Sequence, residues 1–222
     1  ELHKKGVPYK DITLLYRAHY VTRNLEEKLL KKKIPYTIYS GTQFFGRMEI
    51  KDALCYLRMI VSQDDMAFRR IINKPKRNIG QRRMDFLTNY ASENGCTLFE
   101  ALRKNVEEPT LKRTGAADFI ELIDTFAKDS EGKPVSEVLS AILDESGYEK
   151  MLRTEGSQER LDNLAELKQS VFEYETTCGE ETNIVHYLEH AALFSSMDTG
   201  EGQDKVKLMT VHTAEGLEFP YV

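Results

Sequence analysis

Ile12-Thr-Leu-Leu-Tyr16 and Tyr36-Thr-Ile-Tyr39, with a helix-forming segment between them, decide the fold class. The first run is apolar, rich in β-formers, and reads as a buried strand. Thr22 is placed to cap the helix that follows. Leu25, Leu29 and Leu30 share one face of that helix, and Lys31 to Lys33 sit at its end, where cations complement the helix dipole. Ile34-Pro35 leads into the second strand, which Gly41 breaks. Strand, helix and strand with short connections predict a βαβ unit and a parallel sheet.

Past Arg47 the texture changes. Ile50, Ala53, Leu54, Leu57 and Ile60 recur at helical spacing, as do Met84, Leu87, Tyr90 and Ala91, a stretch that Gly95 ends. Thr97 and Glu100 form a capping box. Further helices are marked by Ala116, Phe119, Ile120 and Ile123, and by Val138, Leu139, Ile142 and Leu143 before Gly147. Leu161, Leu164 and Val171, then Ile184, Tyr187, Leu188 and Ala191, continue the pattern. No convincing strand is read between about 47 and 197. Ser195 to Asp204 reads as a Gly-, Ser- and acid-rich linker. Val206-Lys-Leu-Met-Thr-Val-His212 returns to strand character, and Phe219-Pro-Tyr-Val222 reads as the start of another strand. The fold class is therefore α/β with a large all-α insertion: an α/β domain from residues 1–46 and 203–222, and a helical domain over 47–202.

The 222 residues suffice for one large domain or two small ones with a buried core. With 31 Lys and Arg against 36 Asp and Glu, the net charge is −5, so nucleic-acid binding by bulk charge is excluded and any such site must be local. No apolar run reaches the roughly 18–20 residues of a membrane span. No signal-peptide h-region follows the first residues. Cys55, Cys96 and Cys178 are an odd, dispersed set, unlike a disulfide framework or a zinc knuckle, and favour a reducing, cytoplasmic setting. Both ends read as cuts within a longer protein.

Four stretches carry candidate chemistry. Residues 69–83 hold seven basic residues and no acidic one. Asn78-Ile-Gly80 before a helix would set backbone N–H groups beside these cations, an arrangement suited to phosphates; the alternative is a solvated basic face. His186-Tyr-Leu-Glu-His190 matches a His-x-x-Glu-His zinc-peptidase pattern, but a third ligand is not evident, and chance helical histidines explain it as well. Tyr16-Arg17 ends a strand of the α/β part, where ligands of parallel sheets bind, and suits a purine and a phosphate. The alternative for Arg17 is a surface ion pair with Glu26 or Glu27. Leu208-Met-Thr-Val-His-Thr-Ala-Glu-Gly-Leu-Glu-Phe219 is a strand followed by a polar turn.

Together these residues resemble the C-terminal half of superfamily 1 DNA helicases of the UvrD, PcrA and Rep type. Asp11-Ile-Thr-Leu-Leu-Tyr-Arg17 resembles helicase motif IV. The segment from Ile34 to Asp52, with its Phe44-Phe-Gly-Arg-Met-Glu-Ile-Lys-Asp52 run, resembles the next family segment. Pro75-Lys-Arg-Asn-Ile-Gly80 is similar to a Gly-Ile-Gly turn of the family's inserted 2B domain, and Arg160-Leu-Asp-Asn-Leu-Ala-Glu-Leu167 to another 2B signature. Thr210-Val-His-Thr-Ala-Glu-Gly-Leu-Glu-Phe219 resembles motif V. The likeness covers nearly the whole chain in the family's order.

The resemblance implies part of an ATP-driven motor that moves 3′ to 5′ along single-stranded DNA and separates the duplex. The α/β part would be an incomplete RecA-like P-loop NTPase-type domain (2A), facing the N-terminal RecA-like domain of the same protein across ATP, and the helical part would be 2B. Carried across, Tyr16 would stack on the adenine and Arg17 would contact the γ-phosphate as a catalytic group. Gly216 and Glu218 would complete the nucleotide side, Glu218 at the ribose. Thr210 and His212 would line the single-stranded DNA path, while Lys76, Arg77, Gly80, Arg82 and Arg83 would meet duplex backbone. ATP and Mg2+ are implied as cofactors, DNA and repair or replication proteins as partners. Two positions depart from the pattern: Glu215 stands where the family usually has Lys, and Asn78 where it often has Gly. Asn tolerates positive φ better than most residues, so the turn is expected to survive. The competing class is a stand-alone helical module that docks DNA or a protein.

The phosphate loop Gly-x-x-x-x-Gly-Lys-Ser/Thr and an Mg2+-binding Asp-Glu pair are not recognisable in these residues. The chain by itself is therefore expected not to hydrolyse ATP. The check is phosphate release with and without single-stranded DNA, which should stay at the no-protein blank.

Overall fold

The computed structural model describes residues 1–39, 43–178, 182–196 and 204–222. Three short strands, β1 (Thr13–Tyr16), β2 (Tyr36–Ile38) and β3 (Val206–Thr210), form one parallel sheet in the order β1-β3-β2. The first two strands therefore do not pair with each other. β3 lies between them, with Tyr16 opposite Thr210 and Ile38 opposite Leu208. Tyr39 still donates its N–H to Leu208 O at 2.9 Å, but Gly41, expected to end this strand, lies outside the described residues. Phe219–Val222 adds only an isolated parallel bridge, Ile12 to Tyr221.

α1 (Thr22–Lys31) packs Leu30 into a cluster with Tyr16, Tyr36, Val206 and Leu208, with Leu25 and Leu29 against it, as the apolar spacing predicts. β1 and the start of α1 differ from their expected forms. β1 is not buried throughout, because Leu15 is 37% exposed. Successive strand residues face opposite ways, and only the Leu14 and Tyr16 face meets the core cluster. Thr22 is not the cap of α1. A 3-10 turn over His19–Val21 runs straight into the helix, so Val21, already helical in φ and ψ, takes the cap position without a side-chain bond.

The remaining helices are α2 (Met48–Val61), α3 (Asp65–Ile71), α4 (Gln81–Asn94), α5 (Leu98–Lys104), α6 (Ala116–Asp129), α7 (Val135–Glu145), α8 (Tyr148–Thr154), α9 (Gln158–Cys178) and α10 (Ile184–Ser196). No strand occurs among the described residues from 47 to 196. The chain divides into two compact units. One is discontinuous, Glu1–Ile50 with Glu189–Val222, and holds the sheet; the other is Lys51–Leu188 and is helical. Helix α10 continues to Ser196, so the start of the expected linker is helical, and 197–203 lie outside the described residues.

In the helical unit, local signals and packing agree. Gly95 closes α4 in the left-handed region, and the Thr97–Glu100 capping box opens α5 with both reciprocal bonds formed. Phe68, Phe99 and Phe119, one each from α3, α5 and α6, meet in a fully buried trio with centroids 6.1–6.4 Å apart. No helix among the described residues is long and apolar enough to cross a membrane.

Two helix starts are capped from a distance. Asp65 Oδ1 accepts from Leu98 N–H at 2.8 Å. Helix α7 follows Pro134, which has no capping side chain, and Glu175 of α9 serves instead: its carboxylate accepts from Ser136 N–H at 3.0 Å and Ser136 Oγ at 2.5 Å. A carboxylate there satisfies an otherwise orphaned donor and meets the positive end of the helix dipole. Glu175→Ala should destabilise the helical unit by about 1–2 kcal/mol, read from the shift of its urea midpoint by far-ultraviolet circular dichroism.

Candidate functional site

The sheet unit brings the motif IV-like and motif V-like residues to one edge. Tyr16 and Thr210 are paired at the carboxyl ends of β1 and β3, and Val211 N–H donates to Tyr16 O at 2.9 Å. Arg17 and the turn after Thr210 therefore leave the sheet side by side, where ligands of parallel α/β sheets bind. Arg17 is exposed and makes no side-chain hydrogen bond or ion pair among the described residues. Its two alternative partners are engaged elsewhere. Glu27 pairs with Arg23 at 3.1 Å, and Glu26 is enclosed by other donors.

The turn 211–218 is tight. Thr210 Oγ1 accepts from Thr213 N–H at 3.1 Å and lies 2.9 Å from Thr213 Oγ1. Ala214 N–H returns to Thr210 O, and Gly216 takes φ +79°, a conformation open to glycine at little cost. Thr210, expected to line a DNA path, is 8% exposed, and its hydroxyl bonds within the turn. His212, Glu215, Gly216 and Glu218 are all exposed. Tyr16 is likewise a core residue. It is 6% exposed, edge-on to His19, with its hydroxyl 3.4 Å from His19 Nδ1 and its pKa raised by burial. The open stacking face expected of it is covered by the chain itself.

Beneath this edge lies a buried polar cluster that the sequence reading did not find. Glu26 is 5% exposed. It accepts from Tyr36 OH at 3.2 Å and from Phe44 N–H at 3.1 Å, and Thr22 Oγ1 lies 2.7 Å from it. Burial raises the Glu26 pKa, an effect these hydrogen bonds and the Arg47 charge oppose. The Arg47 guanidinium donates to His19 O and to Thr22 Oγ1, each at 2.8 Å, and lies over the Phe44 ring. The Phe44-Phe-Gly-Arg47 run thereby fixes the turn that follows Arg17. No local signal marks the cluster, because Glu26 lies eighteen positions before Phe44.

In the helical unit the basic run separates into two sets. Arg70 and Lys74 turn inward to Asp52. Arg77, expected on a duplex-facing surface, is also committed inward. Its guanidinium donates to Ile71 O, Ile72 O and Tyr56 OH at 3.1–3.2 Å and lies 4.8 Å above the Phe119 ring. The physical reason is that the tight turn leaves backbone carbonyls needing donors, and Arg77 supplies them. Lys76, Gly80 and Arg82 are exposed, while Arg83 is half-buried and donates to Thr110 O and Asn78 O. Asn78 takes φ +60°, so the turn keeps its shape without glycine. Gly80 occupies the cap position of α4 without a side-chain bond. An open concavity lined by Asn73, Lys76, Asn78, Gly80, Arg83 and Arg113 carries three cations and no acid. Arg113 escaped the sequence reading because thirty residues separate it from the turn. Gly115 permits the approach: its N–H bonds Arg77 O at 2.9 Å, and a Cβ there would stand 3.0 Å from the Arg77 side chain.

The His-x-x-Glu-His pattern gains no ligand set. The His186 ring meets Asn183, and His190 stacks edge-on against Phe194 with its pKa lowered by burial. Among the described residues no group of three or more His, Cys, Asp or Glu could hold a metal ion. Cys55 is half-buried, and burial pushes its thiol pKa up to about 11, so it stays protonated.

The chain is similar to known proteins along its whole length. The model of the UvrD-like helicase C-terminal domain matches residues 1–222. The ATP-dependent DNA helicase PcrA of Staphylococcus aureus (strain Mu50) is 37% identical over 232 residues, covering 99% of this chain and 31% of the relative. PcrA of Staphylococcus epidermidis is 39% identical over 227 residues with the same coverage. The chain thus spans about a third of the length of these relatives. A match along its entire length makes the chain a member of the UvrD-like helicase C-terminal domain family.

Proposed function

We propose that the chain works as part of an ATP-dependent 3′–5′ DNA helicase, its sheet unit as a partial RecA-like 2A domain and its helical unit as the inserted 2B domain. The observation that carries this reading is the convergence of an uncommitted Arg17 with the exposed turn holding Gly216 and Glu218 at one carboxyl sheet edge. A guanidinium there can bridge two oxygens of a terminal phosphate and stabilise charge as it departs. The N-terminal RecA-like domain of the same protein would hold most of the triphosphate, so Arg17 would reach it only when the two domains close. Glu218 would accept hydrogen bonds from the ribose. Tyr16, with its ring covered, would serve by anchoring the strand end from which Arg17 projects. His212 would meet single-stranded DNA, and Glu215 beside it would repel phosphate and keep that contact weak. The described residues offer no Mg2+ ligand set, and the steps assigned to the chain are those of its own side chains. The setting would be the cytoplasm, with DNA and repair or replication proteins as partners.

In a full-length helicase containing this chain, Arg17→Ala should cut DNA-stimulated ATP turnover by about 10³-fold or more, as loss of an arginine finger does. Nucleotide affinity should fall far less. Because Arg17 is exposed and makes no ion pair among the described residues, the stability of the 222-residue chain should change by no more than about 0.5 kcal/mol. Normal turnover in the variant would remove Arg17 from the mechanism.

Lys76, Arg82, Arg83 and Arg113 are proposed to hold duplex phosphates without reading sequence. Charge reversal of Lys76, Arg82 and Arg83 to Glu should weaken duplex binding equally on unrelated sequences. It should also flatten the plot of log affinity against log salt by about 0.9 for each phosphate no longer neutralised. Anisotropy titrations on two unrelated duplexes check this.

A further inference from the structure

We propose that Asp52, together with Tyr56 one helical turn on, is a positioning residue for the basic turn and keeps its Lys76, Arg83 and Arg113 side cationic, while Asp118, Glu121 and Glu145 line a concavity on its other side; the inference rests on the reading that this turn meets duplex phosphates. Seven cations within residues 69–83 repel one another, and a tight turn brings them closer. A counter-charge is needed somewhere. An acid on the outer face would oppose phosphate binding, whereas an acid beneath the turn would not.

Asp52 lies beneath it. It is 1% exposed, and its carboxylate meets Arg70 Nε at 2.6 Å, Lys74 Nζ at 2.9 and 3.1 Å, and Tyr148 OH at 2.9 Å. A buried carboxylate is tolerable only when partnered this fully. Tyr56 continues the anchor from the same face of α2, since residues four apart are neighbours on a helix. Its hydroxyl donates to Lys74 O at 2.6 Å and accepts from Arg77 at 3.1 Å. The chain between the two anchors is closed by Asn73, whose Oδ1 accepts from Arg77 N–H and Ile79 N–H at 3.1 Å each. Arg70, Lys74 and Arg77 are thereby drawn inward, while Lys76 and Arg82 are left exposed and Arg83 and Arg113 line the open concavity. Asp52 sorts the cations and touches no ligand itself.

The sign of one substitution separates positioning from bulk charge. Asp52→Asn removes a negative charge close to the turn, so electrostatics alone makes duplex binding tighter. Positioning makes it weaker, because Arg70 and Lys74 lose their anchor and the turn loses its shape. We expect the Asp52→Asn chain to bind a mixed-sequence duplex about fivefold less tightly, with a salt slope shallower by about 0.9, the share of one phosphate. Tyr56→Phe and Tyr148→Phe, which change no charge, should each weaken binding about threefold with the far-ultraviolet circular dichroism of the parent. Tightened or unchanged binding by a folded Asp52→Asn chain overturns the inference. If that variant does not fold, parent-like binding by both Tyr→Phe variants overturns it. The Lys76, Arg82 and Arg83 charge reversal is run alongside. If it binds as the parent does, the duplex reading fails and the inference with it; if it loses binding while the Asp52 and Tyr56 variants keep theirs, only the positioning inference fails.

Discussion

Strand β3 is the constraint on which the sheet unit depends. β1 and β2 are joined by a short helical connection, yet neither bonds to the other. Both bond to β3, whose residues follow them by about 170 positions or more. Until Val206–Thr210 returns, Thr13–Tyr16 and Tyr36–Ile38 have no partner in one another for their backbone N–H and C=O groups, and such groups cannot be buried unpaired. The core cluster repeats the arrangement, since Val206 and Leu208 fill the space between Tyr16, Leu30 and Tyr36. The closure that builds the core also sets the turn after Thr210 beside Arg17. Core and candidate site therefore have a single origin, and a helical unit of well over one hundred residues is accommodated because loop closure costs grow only slowly with length.

Each unit uses one buried carboxylate to fix a polar loop. Glu26 gathers Tyr36 OH, Phe44 N–H and Thr22, beside Arg47, and so pins the turn after Arg17. Asp52 gathers Arg70, Lys74 and Tyr148 beneath the basic turn. Such clusters contribute little net stability, because desolvation offsets most of the attraction, but losing one partner costs about 3–5 kcal/mol. Their effect is conformational: an alternative loop geometry would leave a charge buried and unpaired. That is a sharper restraint than apolar packing offers, since apolar contacts tolerate sliding.

Elements with a local cause were legible in the sequence. The capping box at Thr97, the left-handed Gly95, the helical spacing of Val138, Leu139, Ile142 and Leu143, and the turn at Asn78 depend on residues within a few positions of one another. What could not be read had non-local causes. Thr22 carries every local sign of a cap, yet its hydroxyl is engaged by Glu26 and Arg47, the latter twenty-five positions away. The basic run reads as one surface, but Asp52, Tyr56 and Tyr148 divide it, and nothing within 69–83 marks which cations turn inward. Arg113 joins the outer set from a separate loop, and its nearest local sign is a glycine two residues later whose importance is steric.

The strand end at Tyr16 sets where the candidate chemistry begins. Tyr16 is the last residue of β1, and Arg17 leaves the sheet directly after it. Tyr16 is buried against Leu30, Tyr36, Val206 and Leu208 while Arg17 is exposed, so on the proposed reading the pair acts as anchor and probe. The same logic extends to the turn on β3. The Thr210 hydroxyl bonds within it, whereas His212, Glu215 and Glu218 project from it. Two of those three carry negative charge. On the proposed reading, this makes the turn a poor holder of phosphate and a suitable acceptor for sugar hydroxyls. Anion binding at this edge then falls to Arg17, the group that the sheet geometry leaves uncommitted.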